Sequence, residues 1–315
     1  MTPVARTTLT IAATLAAMLC AACGANNATV DSAQLERRTL NVDGKERVYR
    51  FYRGSKNPAS LVLVFHGGQG DGEKIAKQSE FHNVAARHGF AVAYPDSLQY
   101  WQDGRATTGS GEYDVRFVRE LIATLAESDG IDARRVYATG ASNGGMFTLR
   151  LACEANDVIA AFAPVIASFP ESYVDRCEPG RAVPLLMVNG TDDRLIQWRG
   201  GTIFKGARRG AGGTVIAVQD TVGFWQQNNQ CAGEPAVEAL PDIAPDDGTT
   251  VTRLRYAQCT AGAEVELVKI DGGGHTWPSQ TRTTPPVARR LVGNTSADYD
   301  ASSEIWAFFS RHRLE

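Results

Sequence analysis

Ser142 stands in Gly140-Ala141-Ser142-Asn143-Gly144-Gly145, between the strand-forming run Arg135-Val136-Tyr137-Ala138-Thr139 and an apolar helical run over 146–153. A serine at such a strand-to-helix elbow is a candidate nucleophile for acyl transfer. Flanking glycines permit a sharp turn, and the following helix presents amides that can hold a developing oxyanion. A hydroxyl is a weak nucleophile, so a base must lie within hydrogen-bond reach, itself oriented by a carboxylate. Of the five histidines, His275 in Asp271-Gly272-Gly273-Gly274-His275-Thr276-Trp277-Pro278 follows a strand-like run and comes last in the chain order Ser, Asp, His. His82 and His88 fall on a predicted helix and read as surface residues, His312 meets the dipole of the last helical turn, and His66 reads as ordering its own loop. Asn189-Gly190-Thr191-Asp192-Asp193 offers the carboxylate, with Asp193 favoured over Asp192 because its position points back toward the histidine. Asp175 and Asp220 lie in a loop and on a predicted helix. The oxyanion donors are read as the amide of Asn143 and one from His66-Gly67-Gly68-Gln69, Gly68 before Gln69. That glycine segment lacks the Lys-Ser/Thr ending of a phosphate loop and the Rossmann spacing.

The elements needed to hold these groups are legible as an alternation. Residues 39–42 and 47–52 around Asp43-Gly44 read as a hairpin, and 61–65 as a strand buried on both faces. Further strands are expected at 90–94, 135–139, 158–165, 183–189, 251–256 and 265–270. Helices are expected at about 75–88, 114–127, 146–153, 214–229 and 303–309. Such regular alternation implies an α/β class with a mostly parallel sheet and helices on both faces, in a single domain over 38–315. With 315 residues, 43% hydrophobic and 21% charged, the chain can bury a large core. A formal charge of -3 and scattered arginines leave no basic stripe for nucleic acid and no acidic tail.

Arg6, the apolar stretch 9–19 and the small residues around Cys23 read as an export signal over 1–23, too short to span a membrane, followed by a flexible tether over 24–37. Cys23 fits a lipobox cysteine, although Cys20 three positions earlier is a poor fit; cleavage after Ala25 is the competing reading. Lipidation there would give membrane attachment at the cell envelope, and plain cleavage a secreted protein. Four cysteines remain, and sequence order favours Cys153 with Cys177 and Cys231 with Cys259 in an oxidising compartment. With the signal segment set aside, no Cys-x-x-Cys pair or clustered histidine spacing remains to suggest a metal, and no cofactor or obligate protein partner is expected.

Together, Phe65-His66-Gly67-Gly68, Tyr94-Pro95-Asp96, Trp101-Gln102-Asp103-Gly104-Arg105, the Ser142 elbow with Met146, Asn189-Gly190-Thr191-Asp192-Asp193 and Gly274-His275-Thr276-Trp277-Pro278 resemble the polyhydroxybutyrate depolymerase and feruloyl esterase group of α/β-hydrolases. The resemblance spans nearly the whole mature chain. It implies an α/β-hydrolase fold and carboxylic-ester hydrolysis by Ser142, Asp193 and His275, and the group's paired cysteines map onto the two disulfides above. Asn189 stands where the group usually has His, and Gln197-Trp198 replaces Pro-Tyr; both alter the pocket wall and spare the catalytic groups. Trp101 and Trp277 are expected to touch substrate, with Asp103 and Arg105 either joining them or forming a packed ion pair. Soluble hydroxyalkanoate oligomers and hydroxycinnamoyl or acetyl esters of polysaccharides are the expected substrates, ahead of insoluble polyester. The other readings are a lipid-anchored binding module that keeps the scaffold without turnover, and a peptidase of the same fold.

Overall fold

The computed structural model describes residues 29–109, 111–203, 212–281 and 284–315. The signal segment 1–23, with Cys20 and Cys23, lies outside them. In chain order the elements are β1 (Glu36–Val42), β2 (Lys45–Tyr52), β3 (Ala59–Phe65), α1 (Gly72–Ser79), α2 (Phe81–His88), β4 (Ala91–Pro95), α3 (Tyr113–Asp129), β5 (Ile131–Ala141), α4 (Asn143–Glu154), β6 (Ala161–Val165), β7 (Leu185–Gly190), β8 (Gly201–Thr202), β9 (Thr214–Val215), α5 (Val218–Asn228), β10 (Ala236–Ala239), β11 (Thr250–Tyr256), β12 (Val265–Asp271), α6 (Pro286–Val292) and α7 (Ala301–Phe309).

Ten strands form one sheet in the order β1-β2-β4-β3-β5-β6-β7-β12-β11-β10. The six from β4 to β12 run parallel, and antiparallel strands close both edges. The parallel centre follows from apolar runs such as β3, buried along its full length, because helices must cover both faces. Successive β3 side chains divide between two cores. Leu61, Leu63 and Phe65 face a cluster with Phe117, Leu121, Phe147 and Trp225 of α3, α4 and α5. Val62 and Val64 face another with Ile75, Phe81, Ile305 and Phe309 of α1, α2 and α7.

Several expected elements are corrected. The helix over 75–88 is two helices, broken at Glu80, whose backbone is left-handed (φ 49°) while its N–H caps Ala76. The break lets α2 bury His82, 2% exposed, whose backbone N–H donates to the Tyr94 hydroxyl at 2.8 Å; His82 is no surface residue. The helix over 214–229 begins only at Val218, because β-branched Thr214–Val215 pairs with β8. The tether reading fails for its final part: Val30 N–H donates to Asn83 Oδ1, Leu35 is buried, and β1 starts at Glu36. Among the described residues no helix is long and apolar enough to cross a membrane.

Cys153 pairs with Cys177 and Cys231 with Cys259, as the sequence order suggested. Closing loops of 24 and 28 residues contributes about 3.5 kcal/mol each in the chain-entropy account. Just before β12, Glu264 accepts hydrogen bonds from Arg255 Nε (2.6 Å) and Arg311 Nη2 (2.7 Å) and meets His312 Nε2 (2.9 Å). Burial pushes its carboxyl up, but hydrogen bonds from His312, Arg311 and Arg255 together pull it down to about 2. A carboxyl lowered on folding stabilises fully above its unfolded value near 4.5 and loses that contribution as pH falls through about 2. Glu264→Gln is therefore expected to lower Tm at pH 7 by about 5 °C, with the gap to wild type closing toward pH 2 in thermal melts. A gap independent of pH would contradict the assignment.

Candidate active site

Ser142 lies between β5 and α4 with φ 57° and ψ -117°, a region that costs a non-glycine residue about 1–3 kcal/mol. Its backbone is held there from both sides: the N–H donates to Val165 O at 3.0 Å, and the carbonyl accepts from Met146 N–H at 2.8 Å. The strained dihedral thus belongs to the serine, and the neighbouring glycines serve a different need. A Cβ on Gly140 would sit 2.8 Å from Phe65 O, and one on Gly144 would collide with Phe65 O and lie 2.6 Å from His66 O. The elbow packs directly against the end of β3, where only hydrogen fits. Gly144→Ala is expected to destabilise the protein by about 3 kcal/mol, since its neighbours are backbone atoms with no rotamer to yield. Chemical denaturation measures this, and a loss under ~1 kcal/mol would contradict the packing argument.

Adjacent parallel strands β7 and β12 deliver the next two groups to the same end of the sheet. Their loops are fastened together: Asp192 N–H donates to Gly273 O (2.9 Å) and Gly272 N–H to Thr191 Oγ1 (2.9 Å). A Cβ on Gly190 would overlap the Gly273 carbonyl, so the two backbones touch. This brings His275 Nδ1 to 2.6 Å from Asp193 Oδ2, while Asp193 Oδ1 accepts the N–H groups of Leu195 (2.8 Å) and Ile196 (2.9 Å). Asp193 is buried and Asp192 is exposed. Of the two acids, Asp193 is the one that meets the histidine.

His66, 1% exposed, orders the loop after β3. Its Nε2 accepts the Ser97 N–H at 3.0 Å, so the proton sits on Nδ1, which donates to Gly67 O at 2.7 Å. Burial pushes its pKa below the usual histidine range, consistent with a neutral ring. Gly67, Gly68 and Gln69 then line a cavity of about 420 Å³ together with Ser142, Asn143 and His275. A Cβ on Gly68 would come within 3.0 Å of the Tyr100 ring, which narrows that wall.

Two expected substrate contacts are corrected. Trp101 has no exposed surface: its ring stacks on Phe147 (5.0 Å, 9°) and its Nε1 donates to His66 O at 3.0 Å. Trp277 turns away from the cavity into the α2 and α7 side, edge-on to Phe81 and donating to Ser302 Oγ at 3.2 Å. Both aromatics are paired in apolar packing instead of standing over Ser142. Asp103 and Arg105 form a buried ion pair at 2.6 Å, and Arg105 also reaches the cavity wall. The lining that sequence reasoning missed is mostly aliphatic, with Met146, Ile166, Leu195, Ile196 and Ile203, joined by the polar Gln78 and Tyr100. Met146, Leu195 and Ile196 adjoin the motifs and could have been flagged; Leu291 of α6, 58% exposed at the mouth, carries no local signal.

A serine elbow after a central parallel strand, with an acid and a histidine from loops after two later strands, defines an α/β-hydrolase. In fold the chain is similar to an acetyl xylan esterase from Aspergillus awamori, with a TM-score of 0.54 and 14% identity over 76% of this chain and 94% of that one. The family model described as Esterase PHB depolymerase matches residues 49–169. "Putative esterase NocK" of Nocardia uniformis subsp. tsuyamanensis is 30% identical over 84% of this chain and 80% of its own length. Feruloyl esterase B of Piromyces equi is 30% identical over 69% of this chain, which spans 39% of that protein. The chain belongs to the PHB depolymerase family of esterases and is a serine carboxylic-ester hydrolase.

Proposed function

We propose that Ser142 is the nucleophile of an acyl-enzyme mechanism, with His275 as general base, Asp193 as its orienting carboxylate, and the amides of Gly68 and Asn143 as the oxyanion hole. The observation that carries this reading is the His275–Asp193 contact of 2.6 Å at a cavity that Ser142, Gly68, Asn143 and His275 all line. His275 takes the hydroxyl proton as Ser142 attacks the ester carbonyl, and the negative oxygen of the tetrahedral intermediate is held by the two amides. Collapse breaks the C–O bond, and His275 returns the proton to the departing alcohol. Water, deprotonated by the same ring, then releases the acid. Asp193 stays ionised throughout and stabilises the imidazolium.

The cavity accommodates an acyl group of modest size. Short hydroxyalkanoate oligomers and hydroxycinnamoyl or acetyl esters of polysaccharides are the substrates we infer, in line with the kinds of esterase the relatives are named for. The paired cysteines support an exported protein, and Cys23 as a lipidated residue would tether it to the cell envelope. Hydrolysis of p-nitrophenyl butyrate together with fluorophosphonate labelling of the mature protein tests the mechanism. A protein that hydrolyses the ester yet takes no label at Ser142 would refute it.

A further inference from the structure

The side chain of Asn143 is fully occupied away from the cavity that the residue lines. Its Oδ1 accepts the Trp101 N–H at 2.9 Å, and its Nδ2 donates to Trp101 O at 3.0 Å and to Asp103 Oδ2 at 2.6 Å. With Asn143 only 2% exposed, these bonds leave the backbone N–H as its means of acting on a substrate. Asp103 is completely buried and is held in its turn. Arg105 donates to its Oδ2 from Nε (2.8 Å) and Nη2 (2.6 Å), while Arg105 N–H (3.1 Å) and Thr108 Oγ1 (2.7 Å) donate to its Oδ1. Arg105 Nη1 is anchored on Gly212 O at 2.6 Å. The loop over 101–105 therefore grips the first residue of α4 by its side chain.

Resting on the oxyanion role of Asn143 given above, we propose that Asp103 is a positioning residue: through the Asn143 side chain it fixes the direction of the Asn143 backbone N–H at the oxyanion site. The physical case is one of preorganisation. A donor aimed before the reaction costs no reorientation when charge develops, and its benefit falls steeply with misalignment. An amide side chain is required at 143 because the grip uses one acceptor and two donors at once. A carboxylate is required at 103 because one oxygen must accept from both Arg105 and Asn143 while neutralising a buried guanidinium. Residue 104 has φ 97°, and a Cβ there would lie 2.6 Å from the Tyr173 ring, so glycine is what lets the loop fold tightly enough for Asp103 and Arg105 to meet.

Asp103→Asn and Asn143→Ala test the clamp from its two ends, assayed with p-nitrophenyl butyrate and with active sites counted by fluorophosphonate labelling. In each variant kcat per labelled site is expected to fall about 30-fold with KM within about twofold, short of the hundredfold or more that losing an oxyanion donor costs. Affinity for an alkyl trifluoromethyl ketone, whose adduct with the serine carries the oxyanion, should fall by the same factor. The double variant should be no worse than the poorer single one. A merely structural role would reduce the number of labelled sites while sparing kcat per site and ketone affinity, and that outcome overturns the proposal. Should Asp103→Asn fail to fold, Asn143→Ala decides alone: unaltered kcat per site and ketone affinity overturn the clamp. An unlabelled Ser142 in the wild type instead overturns the nucleophile assignment, and this proposal with it.

Discussion

Ser142→Ala is expected to lower kcat/KM for p-nitrophenyl butyrate by at least about a thousandfold while leaving the fold intact. The size follows from what the substitution removes. On the proposed mechanism, the change leaves no hydroxyl to form the acyl-enzyme and no proton for His275 to take from residue 142. What remains is binding and the oxyanion donors, which by themselves give a small residual rate. Stability is expected to change little because both hydrogen bonds that hold residue 142 in its positive-φ conformation come from its backbone, to Val165 and from Met146. Alanine bears the same dihedral strain as serine. Glycine does not, so Ser142→Gly should be equally inactive yet more stable by about 1 kcal/mol. Retention of more than a tenth of wild-type activity by either variant, with the fold verified by circular dichroism, would place the nucleophile elsewhere.

The readable part of this chain is the part governed by local chemistry. An unbroken apolar run marks β3 as a central strand, and Gly140 and Gly144 mark the elbow, because close backbone approach excludes a side chain there. Asp193 and His275 meet because adjacent parallel strands release their loops at one edge, a consequence of topology that alternation already implies. Orientation of loop aromatics is another matter. A tryptophan beside a catalytic motif has the same local sequence whether it faces substrate or core, and Trp101 turns inward through partners at His66, Asn143 and Phe147 that are distant in the chain. Ile166 and Ile203 of the aliphatic cavity wall are equally hidden, since they come from segments outside the motifs and join Met146 and Ile196 around the cavity only in the fold. Glu80 breaks a helix without a proline or glycine to announce it. Tertiary demand, here the burial of both Ile75 and Phe81, overrides a continuous helical pattern.

Asp193→Asn is expected to reduce kcat by about 10³–10⁴-fold with KM nearly unchanged, and the hydrogen bonds around this residue show why an isosteric change should be so damaging. Oδ1 accepts two backbone N–H groups, from Leu195 and Ile196, and an amide nitrogen cannot take that place without opposing both donors. The asparagine oxygen must therefore occupy the Oδ1 position, which turns its NH₂ toward His275 Nδ1, the partner of Oδ2 at 2.6 Å. Facing a donor, Nδ1 must become the acceptor, and the ring proton moves to Nε2. The histidine is then in the wrong tautomer to receive the Ser142 proton, and the negative charge that would stabilise the imidazolium is gone. Asp192→Asn provides the control: Asp192 joins the neighbouring loop through its backbone N–H to Gly273, its side chain is exposed, and activity should stay within about twofold. Rates at high pH add a second reading, because hydroxide can serve as base when the imidazole cannot, so the Asp193→Asn deficit should shrink as pH rises above ~9. Equal losses in the two variants would mean that the acid facing His275 does not set its tautomer.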